Sequence, residues 1–324
     1  MTSSNLRIVF MGTPDFATQI LAGLLKTKHS IVGVITAPDK PAGRGQKVSE
    51  SSVKKFSESH DLNILQPTNL KDEFFLKSLT ELAADLFVVV AFRMLPEKVW
   101  NMPPKGTINL HASLLPNYRG AAPINWAIIN GEEKTGVTTF FIEQEIDTGM
   151  VIERAETKID CNETAGELHD RLMEIGSQLI NSSVEKISNG SVTRTPQSQL
   201  IEQHELPIAP KIFKPMCEVN WQQSCQVIHN LCRGLSPYPT AWASIYDEEK
   251  KEHKSLKLFK TEPTQLDSTN KTKVLFQKDG VYIPCKDYYL KVLELQPEGK
   301  KRMNYKDFSA GYSKNSYHVN ILNL

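Results

Sequence analysis

Asn109 and His111 stand two residues apart, and Asp147, the first residue of Asp147-Thr148-Gly149, follows His111 by 36 residues. An asparagine amide supplies N–H donors, and a histidine changes charge near neutral pH. A carboxylate reaching that histidine would fix its tautomer and favour its protonated form. These three groups suit acyl transfer, in which donors must hold a developing oxyanion and a proton must leave the attacking amine. Each piece also has a plainer reading. An Asn-x-His pair on a strand is commonly no more than satisfied polar groups. Asp-Thr-Gly is also the tripeptide of aspartic proteases, whose chemistry needs two carboxylates sharing one proton. The sequence holds one such tripeptide, which argues against the protease.

The elements around these residues alternate between strand and helix. Residues 7–11 form a short apolar run that ends at Gly12-Thr13-Pro14, and 15–25 carry apolar residues at helical spacing. Strands are predicted at 31–35, 62–65, 86–91, 107–110, 137–142 and 151–155. The run 86–91 is apolar throughout, as a central parallel strand covered on both faces would be. This rhythm predicts an α/β fold, a Rossmann-like open parallel sheet, doubly wound. Two apart at a strand end, Asn109 and His111 point to one face at the edge where such sheets bind ligands. Thr164 and Glu167 have capping-box spacing, and Asn189-Gly190 ends the helix that follows.

Residues 193–215 contain Pro196, Pro207, Pro210 and Pro215 and read as a linker. Beyond a short helix at 224–232, strand-like pieces at 241–246, 256–259, 273–277, 280–284 and 289–295 predict a small OB-like β-barrel. The expected domains are thus 1–192, 193–215 and 216–324.

Composition narrows the class further. The five cysteines are scattered and none forms a Cys-x-x-Cys pair, so buried free thiols in a reducing compartment are expected. The start carries no basic and apolar leader, and no run is long enough to span a membrane, so a cytoplasmic protein is expected. From residue 212 onward there are 17 Lys and Arg against 12 Asp and Glu, a balance of +5 within a net charge of +1. A basic region on a near-neutral chain points to a polyanionic partner; a solvated lysine-rich surface accounts for it about as well. Around Gly12 the Gly-x-Gly-x-x-Gly fingerprint is absent, which argues against a nicotinamide cofactor.

Asn109, His111, Ser113-Leu114-Leu115-Pro116, Tyr118-Arg119-Gly120-Ala121-Ala122-Pro123 and Asp147-Thr148-Gly149 together resemble the signature of folate-dependent formyltransferases. The resemblance implies a formyltransferase domain with Asn109, His111 and Asp147 as the catalytic trio, 10-formyltetrahydrofolate as cosubstrate, and no metal. It further implies folate contacts from Ser113, Leu114, Leu115 and Pro116 and from the strand carrying Val90, Phe92 and Leu95. Here the chain departs from the common Ala-Tyr-Gly, having Ala91-Phe92-Arg93, so the resemblance carries main-chain contacts only.

Three segments resemble the branch of the family that acts on methionyl initiator tRNA. They are Phe10-Met11-Gly12-Thr13-Pro14, the loop from Pro38 to Lys47, and the barrel opening Arg233-Gly234-Leu235-Ser236-Pro237. By that resemblance Lys40, Arg44 and Lys47 meet the tRNA, and the enzyme is a monomer. The alternative within the family is a sugar-nucleotide N-formyltransferase using the same donor. A solvated basic loop is the plainer reading of residues 40–47.

Overall fold

The structure is a computed structural model that describes residues 4–42, 47–201 and 205–319. Its strands are β1 (Arg7–Gly12), β2 (Ser30–Ile35), β3 (Lys40–Ala42), β4 (Lys47–Ser49), β5 (Ile64–Leu65), β6 (Leu86–Val90), β7 (Thr107–His111), β8 (Arg119–Gly120), β9 (Lys134–Phe141) and β10 (Val151–Lys158). They continue as β11 (Ile208–Ala209), β12 (Ala241–Asp247), β13 (Glu252–Asp267), β14 (Leu275–Gln277), β15 (Gly280–Pro284), β16 (Tyr288–Pro297), β17 (Met303–Asn304) and β18 (Tyr317–His318). The α-helices are α1 (Asp15–Leu24), α2 (Ser52–Glu58), α3 (Glu73–Glu81), α4 (Glu97–Trp100), α5 (Pro123–Ile129), α6 (Ala165–Ser188), α7 (Cys225–Gly234) and α8 (Tyr305–Tyr312).

The chain divides into two compact units. One comprises Met1–Gly120, Gly136–Thr157 and His169–Ile208; the other comprises Ala121–Thr135, Lys158–Leu168 and Ala209–Leu324. Two segments expected with the first domain therefore belong to the C-terminal unit. The reason is polar and steric. Asn125 Nδ2 on α5 donates to the Gly234 carbonyl at 2.7 Å, and a Cβ on Gly234 would lie 2.6 Å from Ile129. Arg233 Nη1 donates to the carbonyls of Asp160 and Glu163, which ties the loop before α6 to α7.

In the first unit the sheet runs β10-β9-β7-β6-β1-β2-β5. β5, β2, β1, β6 and β7 are parallel, and β9 lies antiparallel against β7. The fold class is as expected, with one difference: apolar runs mark strands but not their direction. β6 is buried along its whole length because both faces of the sheet are covered. On one face Val9, Met11, Phe87 and Val89 pack with Phe75, Leu79 and Val99.

In the second unit the strands run β14-β15-β16-β13-β12-β18, with β17 beside β16. Val274 N donates to the Tyr317 carbonyl at 2.8 Å and Val319 N to the Thr272 carbonyl at 2.9 Å, so the first edge meets the last and the sheet closes. β13 is 16 residues long, far beyond the four expected, because it bends through register shifts near Leu258 and Lys260 and serves two stretches of the barrel wall. Cys217, Cys225, Cys232 and Cys285 are free and buried in this barrel, whereas Cys161 is free and exposed.

Two buried histidines make stability depend on pH. His229 donates from Nε2 to the Cys161 carbonyl at 3.1 Å and accepts at Nδ1 from Thr261 Oγ1 at 2.9 Å. Burial lowers its pKa, opposed by its bond to the Cys161 carbonyl. Burial likewise lowers His29, opposed by Glu185. A depressed folded value means stability that is present above the unfolded pKa, about 6.5, and is lost as pH falls toward the folded one. Asp247, which burial alone would raise, is held down to about 2 by hydrogen bonds from Lys250 N, Asn315 and Lys254, so its contribution fades only in stronger acid. Denaturant midpoints should therefore drop between pH 7 and pH 5.5, and His229→Gln should flatten that slope. An equal slope in the variant would contradict this assignment.

Candidate active site

β7 ends at His111, and the alternation of a strand turns Asn109 and His111 to the same face. His111 is 7% exposed, and its Nε2 lies 2.8 Å from the Tyr118 carbonyl oxygen. A carbonyl only accepts, so Nε2 carries the proton there. Nδ1 faces Asp147 Oδ2 at 3.7 Å. That gap exceeds the roughly 3.2 Å limit of a direct hydrogen bond, yet the charge interaction reaches across it. Nδ1 thus faces the carboxylate and stays open to a third group. The Asn109 side-chain oxygen is buried and has no hydrogen-bond partner among the described residues. Rotating the amide would place its N–H2 at the same point. A buried polar atom left unmet at a site is what a substrate group would satisfy.

Two turns bring the carboxylate to the imidazole. Tyr118 and Asp147 both have left-handed backbones, at φ 59° and 56°, a conformation that costs a non-glycine residue about 1–3 kcal/mol. In the first turn Ser113 Oγ donates to the Asn117 carbonyl at 2.6 Å, while Thr138 Oγ1 on β9 donates to the Ser113 carbonyl at 2.6 Å and accepts from Leu115 N at 3.1 Å. Gly120 N donates to Asp147 Oδ2 at 3.0 Å, joining the turns. In the second turn Thr148 Oγ1 donates to the Glu145 carbonyl at 3.1 Å. A Cβ on Gly149 would sit 1.8 Å from the Phe141 carbonyl oxygen, so only glycine fits.

Gln197, in the short 3₁₀ turn Gln197–Leu200, also meets these turns. Its Nε2 donates to the carbonyls of Asp147 at 2.8 Å and Gly149 at 3.0 Å, and its Oε1 accepts from Arg119 Nε and Nη2. No local pattern marks it, since residues 193–215 read as a linker without periodicity.

Residues 6–184 match the Formyl transferase family, and residues 211–313 match Formyl transferase, C-terminal domain. The chain belongs to the formyl transferase family. It is 50% identical over 307 residues to the methionyl-tRNA formyltransferase of Flavobacterium johnsoniae, covering 94% of this chain and 96% of that one. With the methionyl-tRNA formyltransferase of Bacteroides fragilis it shares 47% identity over 314 residues, covering 96% and 97%. Among solved structures, HypX from Aquifex aeolicus in complex with tetrahydrofolic acid matches at TM-score 0.63 and 16% identity, covering 94% of this chain and 47% of that one. The Helicobacter canadensis N-formyltransferase, complexed with folinic acid and dTDP-3-aminofucose, matches at TM-score 0.64 and 18% identity, covering 92% and 100%. The last two speak to the fold alone.

Not every residue expected at the folate has surface to offer. Ser113, Leu115 and Val90 are fully buried in this conformation. Leu115 packs with Phe140 and Val151, so these residues shape the formyl transferase turn and strand from beneath. Pro116 and Leu95 are nearly buried, while Leu114 and Phe92 are half-buried and keep surface. Arg93 Nη1 donates to the Thr68 carbonyl at 2.9 Å and Nη2 to the Pro67 carbonyl, which ties residues 91–95 to the neighbouring loop.

Of the residues expected to meet tRNA, Lys40 is exposed on β3 and Lys47 lies on β4, its hairpin partner; Arg44 lies outside the described residues. Lys54 fastens the base of this hairpin. Its Nζ donates to Asp39 at 2.5 Å on one side and to Glu50 at 2.7 Å on the other.

Gly149→Ala should lower stability by about 3 kcal/mol through the forced shift against Phe141, read as a drop in denaturant midpoint. An unchanged midpoint would show that the turn is looser than this packing implies.

Proposed function

We infer that this chain transfers the formyl group of 10-formyltetrahydrofolate to the α-amino group of methionine on initiator tRNA, giving N-formylmethionyl-tRNA. One observation carries the reading: methionyl-tRNA formyltransferases share about half their residues with this chain across nearly its whole length. The distant structural neighbour with a sugar substrate, at 18% identity, bears on the fold and gives the sugar-nucleotide alternative little support. Nothing in the site calls for a metal, and the chemistry below uses none.

Asn109, His111 and Asp147 form the catalytic trio in this reading. The Asn109 amide, a polar group with unmet bonding capacity, and the His111 Nδ1 proton are the donors for the formyl oxygen as it becomes an oxyanion. Asp147 orients and charges the imidazole and, through a water, receives the proton released by the attacking amine. As the tetrahedral adduct collapses, the bond from the formyl carbon to the folate nitrogen breaks and that nitrogen takes a proton, leaving tetrahydrofolate. Leu114, Phe92 and the main chain of 91–95 face the folate, with Val90, Ser113, Leu115, Pro116 and Leu95 supporting them.

Lys40, Arg44 and Lys47 supply the cations that meet acceptor-stem phosphates or splayed bases. The basic balance of +5 beyond residue 212 supports a second phosphate-binding region in the barrel. Among the described residues no helix is long and apolar enough to cross a membrane, and we place the enzyme in the cytoplasm as a monomer. In domain terms, the first unit, with residues 193–208 anchored in it, performs transfer, and the barrel within 216–324 binds tRNA.

The purified protein should formylate methionyl initiator tRNA and leave a sugar-nucleotide amine untouched; formylation of the sugar alone would overturn the reading. Asn109→Ala should lower kcat by about 100- to 1000-fold, roughly 3–4 kcal/mol of barrier. Retention of full kcat would remove Asn109 from the oxyanion site. Arg44→Ala should raise KM for tRNA and leave folate affinity near normal, and equal loss of both would make the loop structural.

A further inference from the structure

We propose that Gln197 is a positioning residue for the transfer reaction, setting the place of Asp147 through the backbone of its turn. The inference rests on the catalytic reading of Asp147 given above. Gln197 is 4% exposed, so its amide is paired inside the protein or not at all. Both ends are fully used. The two N–H bonds of Nε2 go to the carbonyls of Asp147 and Gly149, the first and third residues of the turn. Oε1 takes two N–H groups from the Arg119 guanidinium, at 3.0 Å from Nε and 2.6 Å from Nη2.

Arg119 lies between Tyr118, whose carbonyl holds His111 Nε2, and Gly120, whose N–H holds Asp147 Oδ2. A single buried amide therefore connects the backbone that presents the imidazole to the backbone that presents the carboxylate. The Asp147 turn is held as well by Gly120 N on its carboxylate and by the close packing of Gly149 on Phe141. Its left-handed residue must be over-determined by its surroundings to persist. The carbonyls of Asp147 and Gly149 point to the same donor, so the turn is clamped at both ends.

The segment bearing Gln197 is itself anchored on both sides. Thr195 exchanges backbone hydrogen bonds with Val151, 2.9 Å each way. Leu200 packs on Leu115, Phe140 and Val151. Gln197 is thus a rigid peg and not a side chain that follows the turn. The 3.7 Å separation of His111 and Asp147 is a distance that a small slip of the turn would change. Misplacement of a reacting group by about 1 Å costs on the order of 100-fold in rate.

Two variants separate the possible roles. Gln197→Met keeps the volume and loses every hydrogen bond. Gln197→Glu keeps an acceptor for Arg119 and loses the donors to the turn. Both should melt within a few degrees of the parent and bind 5-formyltetrahydrofolate with unchanged Kd. Both should lose kcat by about 10- to 100-fold, with KM for methionyl-tRNA and for the formyl donor within about twofold. Full activity in Gln197→Glu would show that the amide only balances Arg119, and full activity in Gln197→Met would show that it only fills space. Either result overturns the proposal, as does loss of folding in both variants or an equal change in KM and kcat. Asp147→Asn is assayed beside them. If it retains kcat, the catalytic reading of Asp147 has failed. If it is inactive while the Gln197 variants are normal, only the positioning role has failed.

Discussion

A carboxylate can serve an imidazole only where the backbone holds both, and the first unit is organised around holding Asp147 Oδ2 3.7 Å from His111 Nδ1. The imidazole stands on the last residue of a strand buried between neighbours, which fixes its origin. The carboxylate stands on a left-handed residue in a loop, where no strand ladder fixes it. The structure supplies the missing restraint from several directions: Gly120 N on the carboxylate, Gln197 on the turn carbonyls, and the close approach of Gly149 to Phe141. A regular strand needs no such help, because its ladder already fixes each residue. Precision costs most in irregular backbone, and the buried polar contacts gather there.

The separation itself has a consequence. At 3.7 Å the pair face each other without a closed hydrogen bond, so Nδ1 is left open to a third group. The other ring nitrogen is consumed, on the Tyr118 carbonyl, and this fixes which face of the imidazole meets the carboxylate. The orphaned oxygen of Asn109 lies on the same strand face, two residues before the imidazole. A site with one satisfied nitrogen, one open nitrogen and one unmet amide is prepared for a polar group that arrives with the substrate.

Much of this was legible in the residues. The spacing of Asn109 and His111 put them on one face, and the apolar run at 86–91 marked a central strand. The capping box at Thr164 and Glu167 is present, with Thr164 N donating to Glu167 Oε2 at 2.9 Å and Glu167 N to Thr164 Oγ1 at 3.3 Å. Helices α2, α3 and α8, capped by Ser51, Asp72 and Asn304, do not stand out in the sequence because each is only 7 to 9 residues long. The antiparallel course of β9 had no local signal, since direction is set by which end of the sheet the chain re-enters. Burial of Ser113, Leu115 and Val90 also depends on tertiary packing; a motif fixes residue types and leaves open which of them keep surface. Gln197 was invisible for a related reason. Its partners are 48, 50 and 78 residues away, and a buried amide surrounded by prolines looks like a linker.

Catalysis by this trio requires the reacting carbon to sit at the end of β7. A crystal structure with a stable 10-formylfolate analogue, which carries the formyl group on the reacting nitrogen, measures this directly. The formyl oxygen is expected about 3 Å from the Asn109 amide and from His111 Nδ1, on the side of the imidazole that Asp147 faces. A formyl group bound away from that strand end, with Asn109 still unpartnered, would contradict it.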